Sequence, residues 1–206
     1  MQKAIILLSG GLDSTTALWS IKDTHEVYGL TFRYEKTNKR EMRAAARLAK
    51  AANVKEHIIV EVGFLKDLGE LMSDEELEKI NLPDCYIPAR NTIFFGIAAY
   101  FAEIKGAELI VTGHNSEDNF PDSSKEYFDA INKTLSIGSG RGKRGAKVTA
   151  PFLDMDKVQI LHIAKRLKVP LNMTWSCHKD GNSPCGICTG CIAMQRALRG
   201  VGAETP

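Results

Sequence analysis

The sequence predicts an α/β fold, a doubly wound parallel sheet followed by a small C-terminal segment held by its own staple. Three observations carry this prediction. Short apolar runs alternate with helical runs along most of the chain, the pattern of a parallel sheet covered on both faces. A Ser-Gly-Gly string directly follows the first apolar run, where such sheets place a phosphate. Four of the five cysteines fall within fifteen residues near the C-terminus.

Taken in order, Lys3 to Leu8 (KAIILL) reads as the first strand, and Asp13 and Ser14 open a helix through Ile21. Glu26 to Tyr34 is the second strand, Glu41 to Ala52 an Ala-rich helix, and His57 to Val62 the third strand. Thr92 to Lys105 is a strongly apolar, buried helix and Leu109 to Thr112 a further strand. A polar loop follows Gly113 as far as Pro121, and a helix spans Lys125 to Leu135. Gly138 to Lys147, glycine-rich and basic, is expected to be a mobile loop. The strand-like Val148 to Phe152 leads to Asp154 and Asp156, whose carboxylates suit a helix N-terminus, and that helix runs to about Lys168 before Pro170. The organisational break then falls between a body, 1–170, and a cysteine-bearing segment, 171–206.

Composition excludes several classes. At ~150 residues per domain, 206 residues make one domain with an appendage. With 44% hydrophobic and 25% charged residues the chain is an ordinary globule, not a disordered one. A net charge of +2 lacks the basic footprint of a nucleic-acid binder, so no direct nucleic-acid partner is expected. No apolar run approaches the ~18 residues of a membrane span, and the N-terminal run is too short for a signal-peptide core. A cytoplasmic protein is expected. An odd cysteine count without an export signal points to a metal or reactive site rather than a disulfide framework.

The string Ser9-Gly10-Gly11-Leu12-Asp13-Ser14 suits an oxyanion. Two glycines let the backbone approach it, the serines add hydroxyls, and the helix N–H groups point at the charge. There is no P-loop lysine and no G-x-G-x-x-G, so neither a standard kinase or GTPase nor a dinucleotide dehydrogenase fits. Cys177, Cys185, Cys188 and Cys191 supply four thiols, enough for a closed tetrahedral site. Zinc is favoured, since a closed site would staple a loop-rich end; an iron–sulfur cluster is the alternative.

SGGLDS resembles the pyrophosphate loop of the ATP pyrophosphatase, or PP-loop, superfamily. Together with YIPARNTIF (Tyr86 to Phe94), GHNSEDNFPDS (Gly113 to Ser123) and TWSCHKDGNSPCGICTGC (Thr174 to Cys191), it makes the chain similar to the 7-cyano-7-deazaguanine synthases of queuosine and archaeosine biosynthesis. The resemblance implies a sheet of adenine-nucleotide α-hydrolase type with a zinc-binding tail, and an enzyme, an ATP-dependent ligase. ATP would adenylate the carboxylate of 7-carboxy-7-deazaguanine, ammonia would attack, and the amide would be activated again and dehydrated to the nitrile.

It further implies a homodimer, Mg²⁺, and Zn²⁺ on the four cysteines. Leu8, Ser9, Gly10, Gly11, Leu12, Asp13, Ser14, Thr15 and Thr16 would hold ATP, with Asp13, Ser14 and Lys157 catalytic. Arg90 and Asn91 would sit beside nucleotide or deazapurine, Arg90 as a charge-assisted fork. Asp118 and Asp122 would bind Mg²⁺ or the guanine-like edge, and Lys157 would offset charge on the adenylate. Trp175 reads as packing around the metal site or stacking on the base, His114 as a hydrogen-bonded structural residue, and Cys85 as a buried small hydrophobe. The chain departs from the family pattern at Glu35-Lys36, Ser123-Ser124 and His178, where substrate recognition is expected. Two other readings accompany this one: a PP-loop tRNA-modifying sulfur transferase, and a zinc-ribbon nucleic-acid module.

Overall fold

Gln2–Leu7 (β1), His25–Arg33 (β2), Glu56–Glu61 (β3), Leu109–Val111 (β4) and Lys147–Thr149 (β5) pair in parallel, in the order β3-β2-β1-β4-β5. The structure is a computed structural model and describes residues 1–34, 39–66, 72–73, 75–76, 79, 86–142 and 145–202. Glu35, Lys36, Cys85, Lys143 and Arg144 lie outside the described residues.

Alternation along β1 sends Ile5 to one face and Ile6 to the other, and both are fully buried, which is why the strand reads as a continuous apolar run. The Ile6 face is covered by Leu12–Ile21 (α1), Lys39–Ala51 (α2), Lys157–Arg166 (α5) and Thr189–Gly200 (α6). The Ile5 face is covered by Arg90–Lys105 (α3) and Lys125–Gly138 (α4). The sheet is doubly wound. Strand order reverses between β1 and β4, so the crevice at their carboxyl ends is the topological switch point where such sheets bind ligands.

Several boundaries differ from the sequence reading for identifiable reasons. The α4 helix, capped by Ser124 Oγ accepting from Tyr127 N at 3.1 Å, carries on past Leu135 to Gly138. β5 stops at Thr149 instead of running to Phe152 because Pro151 has no N–H to continue the ladder. Phe152 still enters the core and bridges Asn115. Asp156 and Gln159 form the capping box of α5.

The largest difference is α6, a helix within the cysteine-bearing end that the sequence reads as loop-rich. Its buried Cys191, Ala197 and Leu198, with partly buried Met194, recur at helical spacing and join the core that holds α1 and α5. Leu171, Met173 and Trp175 of the same segment pack on that core as well.

Candidate active site

The Ser9–Ser14 loop turns sharply between β1 and α1. Gly10 sits at φ +89°, and a Cβ there would lie 2.7 Å from Glu41 O and from Ala45 N, so only glycine fits against α2. Gly113 at the end of β4 is equally constrained: its Cβ would fall 2.5 Å from Ser14 N. The loop is thus pressed between α2 and β4. Inside it, Ser9 Oγ and Ser14 Oγ are 2.9 Å apart and Ser9 N donates to Ser14 Oγ at 3.2 Å. Gly11 caps α1 with no side chain, which leaves the first-turn N–H groups open to an external anion.

A cleft of about 720 Å³ opens above this loop. Of the residues expected to hold ATP, Leu8, Ser9, Gly11, Asp13 and Ser14 line it. Gly10, Leu12, Thr15 and Thr16 stand behind: Leu12 is core, and the Thr15 and Thr16 hydroxyls donate to the carbonyls of Gly11 (2.6 Å) and Leu12 (2.7 Å). Lys157 Nζ pairs with Asp13 Oδ2 at 3.0 Å. Burial raises the Asp13 carboxyl above its ordinary value against the pull of Lys157, and its Oδ1 is buried without a partner. Lys157 is held in turn by Glu117, which accepts the Lys157 N–H at 3.1 Å and pairs with Arg196 of α6.

Arg90, Asn91 and Asp118 line the opposite wall. Ala89, which precedes them, adopts the left-handed conformation at φ +53°, a local strain of about 1 kcal/mol at the start of α3. Asp122 is turned away from the opening. Its Oδ2 accepts Asn91 N at 2.9 Å and its Oδ1 accepts Asn91 Nδ2 at 3.0 Å, so it fixes the first turn of α3. The Arg90 guanidinium lies over the Phe120 ring at 5.5 Å. Asp118 Oδ2 accepts Asn115 N at 3.0 Å, and burial raises its carboxyl.

The cleft also holds residues to which the sequence reading assigned no binding role, His114 among them as a hydrogen-bonded structural residue. Phe32 and Phe94 stack with centroids 3.8 Å apart, beside Leu30, Tyr34 and Met42, and form a flat apolar wall. Glu41, on the first turn of α2, lines the same side, and burial pushes its carboxyl up to about 7 against the lowering effect of Arg90. A single Glu in an Ala-rich amphipathic helix gives no warning of that. His114 also lines the cleft: Nδ1 meets Thr112 Oγ1 at 2.8 Å, and burial, helped by Arg90, pushes the imidazole down to about 4. It is neutral at neutral pH.

The four cysteine Sγ atoms lie within 4.8 Å of one another, with Cys185–Cys191 and Cys188–Cys177 separations of 3.9 Å. Four ligands at ~2.3 Å around one tetrahedral centre stand ~3.8 Å apart, so the set fits a single ion. The Ile187 and Cys188 N–H groups draw the Cys185 thiol down to about 6, toward the thiolate a metal requires. The tail also builds the cleft. Trp175 N donates to Gly10 O at 2.9 Å, and His178, Thr189 and Gly190 line the opening. The Trp175 ring lies outside the cleft lining, packed against the core, with the Arg40 guanidinium 5.7 Å from its centroid.

Comparison with known proteins gives one family. The family model described as queuosine biosynthesis protein QueC matches residues 3–202. A 7-cyano-7-deazaguanine synthase of Prochlorococcus marinus (strain NATL1A) is 37% identical over 98% of this chain and 96% of its own. Another, of Synechococcus sp. (strain RCC307), is 39% identical over 96% of this chain and 95% of its own. Among solved structures, an NMN synthetase from Francisella tularensis has TM-score 0.55 at 16% identity, over 100% of this chain and 79% of that one. The U34-tRNA thiolase NcsA from Methanococcus maripaludis, solved with its 4Fe-4S cluster, has TM-score 0.54 at 16% identity, over 96% and 66%. At such identities the last two speak for the fold alone.

Proposed function

The chain belongs to the queuosine biosynthesis protein QueC family, and from that premise we propose that it converts 7-carboxy-7-deazaguanine and ammonia to 7-cyano-7-deazaguanine with ATP. One observation carries the reading: the anion-ready loop at Ser9–Ser14, the Asp13–Lys157 pair and the Arg90–Asn91 wall open into a single cleft.

The open N–H groups of α1 and the Ser9 and Ser14 hydroxyls hold the departing pyrophosphate. Arg90 receives the substrate carboxylate with its planar fork. Lys157, placed on the first turn of α5 by Glu117, moves its charge onto the oxygens that become negative as the adenylate forms. Ammonia then displaces AMP to give the amide, and a second adenylation and elimination give the nitrile. The apolar wall of Phe32 and Phe94 suits a flat heterocycle.

The orphan Asp13 Oδ1 and Asp118 suit Mg²⁺, which keeps several waters and takes one or two carboxylates beside phosphates. When bound, that ion supplies charge neutralisation at the phosphates. We read the ion on Cys177, Cys185, Cys188 and Cys191 as zinc and as structural, because four thiolates leave no open position for a reactant. A homodimer supplied with free ammonium completes the reading.

Incubating the protein with 7-carboxy-7-deazaguanine, ATP, Mg²⁺ and ammonium yields the nitrile with release of AMP and pyrophosphate, read by mass spectrometry. Failure to consume the acid under any of these conditions overturns the proposal.

A further inference from the structure

The carboxylates around Lys157 outnumber it. Asp13 accepts its ammonium, and Glu117 and Asp118 line the same cleft. Burial first, and after it the charges of Asp118 and Glu117, raise the Asp13 carboxyl against the pull of Lys157, so the three acids and the lysine share one field. An ammonium in such a field can be drawn to the wrong carboxylate.

Glu117 is the acid placed to compete. Its Oε1 already accepts the Lys157 N–H at 3.1 Å, and its backbone is fixed, since Glu117 N donates to Asn115 Oδ1 at 2.9 Å and Ser116 N to Met155 O at 3.0 Å. The Asp156–Gln159 capping box serves the N–H groups of Asp156 and Gln159, and the N–H of Lys157 goes to Glu117. The second oxygen of Glu117 is taken by Arg196, which comes from α6. Arg196 stands outside the cleft lining with 61% of its side chain exposed, so the pair adds little to stability. Yet α6 is pressed on the very turn that carries Lys157, for a Cβ on Gly200 would lie 2.9 Å from Val158 Cγ2. The effect of Arg196 therefore falls on Glu117.

We propose that Arg196 is a positioning residue for Lys157, a role that rests on the reaction assigned above. By occupying Glu117 Oε2 it keeps that carboxylate on the start of α5 and leaves the Lys157 ammonium to Asp13 and, during adenylation, to the oxygens that become negative. Arg196 itself touches no reactant. Without it, Glu117 carries an unbalanced negative charge against the backbone of the lysine, and the ammonium is shared between Glu117 and Asp13. The lysine is then displaced from the reacting phosphate, and a displacement of about 1 Å near the reacting atoms lowers a rate by up to ~10²-fold.

Steady-state nitrile formation from 7-carboxy-7-deazaguanine, ATP, Mg²⁺ and ammonium tests this in the full chain. In Arg196→Met, kcat falls by ~10–10²-fold while KM for the acid stays as in wild type, because the lost interaction acts in the transition state. Arg196→Lys, which keeps a cation, retains most of the rate. Adding Glu117→Gln to Arg196→Met restores kcat, since the amide keeps an oxygen for the Lys157 N–H and no longer competes for the ammonium. In a Lys157→Met chain, Arg196→Met lowers kcat no further. Circular dichroism and melting curves confirm the fold of each variant. An unaltered kcat in Arg196→Met, a loss that Glu117→Gln leaves in place, or a further loss in the Lys157→Met chain overturns the proposal. A pair that only held α6 against the body would give the last two results, because its loss would act in any background. If the wild-type protein forms no nitrile, the reaction assignment falls, and this role with it; wild-type turnover with an unaltered Arg196→Met removes this role alone.

Discussion

Two side chains at the cleft carry opposed electrostatic duties. Asp13 and Lys157 neutralise each other in a site where an unpaired charge is costly, and Asp13 Oδ1 already lacks a partner. Replacing Lys157 with Met should lower kcat/KM by ~10²–10³-fold and also destabilise the fold by about 2 kcal/mol, since it strands the Asp13 carboxylate. Adding Asp13→Asn in the same chain should recover most of the stability and none of the activity. A pair that mattered only to folding would recover both, so urea melts and the AMP assay on the two variants separate the cases. His114 makes a different prediction. Its folded value near 4 lies below the ordinary 6.5, so the unfolded chain binds its proton first. The stability from keeping this imidazole neutral is complete above pH 6.5 and is lost as pH falls toward 4, by up to about 3 kcal/mol. Glu41, raised to about 7, has the contrary sign: the unfolded chain releases its proton first, so its contribution is lost as pH rises from 4.5 through 7. The two overlap in one pH window. Stability measured for wild type minus His114→Gln at each pH isolates the histidine and should fall on acidification; a flat difference would show that His114 is not buried as a neutral ring.

At the level of elements, α6 ties the cysteine tail to the sheet. Leu198 is buried against the core shared by α1 and α5, while Cys191 occupies the first turn of the same helix. Leu198→Ala should cost about 2–4 kcal/mol and also weaken metal retention, because the helix that presents Cys191 is then held by less apolar contact. A competition titration with a chromophoric chelator reads the second effect; unchanged retention would mean that the cysteine loop holds its ion without α6. This helix was invisible in the sequence for a physical reason. Its N-terminal turns contain Thr189, Gly190 and Cys191, poor helix formers whose chemistry suggested a loop, and two of its three buried positions, Cys191 and Ala197, are small. The strands and α1 were legible because burial on both sheet faces forces unbroken apolar runs that end at Gly-rich turns. Ser9, Asp13 and Ser14 were legible by position, at the end of the first strand. Glu41 and Phe94 were not, because they reach the cleft only through the order β3-β2-β1-β4, which brings the starts of α2 and α3 to the same edge.

Across the whole molecule, the four-cysteine site and the Ser9–Ser14 loop are joined by direct hydrogen bonds. Trp175 N donates to Gly10 O, and Arg40 of α2 reaches the tail twice, through its N–H to Asp180 at 3.1 Å and its guanidinium to Asn182 at 2.9 Å. The residues between the first two cysteines are therefore tied at one end to the metal ligands and at the other to the helix behind Gly10. An ion on the cysteines reduces the freedom of that stretch, and freeing it withdraws the support of Gly10 and the His178 side of the cleft. Removing the metal should act on two observables together. The melting temperature should fall, since an ion that binds only the folded chain contributes RT ln(1 + [L]/Kd), about 4 kcal/mol at a thousandfold excess over Kd. ATP affinity should fall as well, by ~10-fold for each 1.4 kcal/mol of lost loop support. Cys185→Ser offers the same test without a chelator, because it removes one ligand at the half-buried edge of the site and leaves Trp175 and Gly10 untouched. A metal-free protein that melts earlier yet binds ATP with unchanged affinity would show that the tail staples the fold without shaping the nucleotide loop. Loss of both in parallel would make the ion part of the nucleotide site, since its ligand Cys177 is two residues of chain and one hydrogen bond, through Trp175 N, away from Gly10.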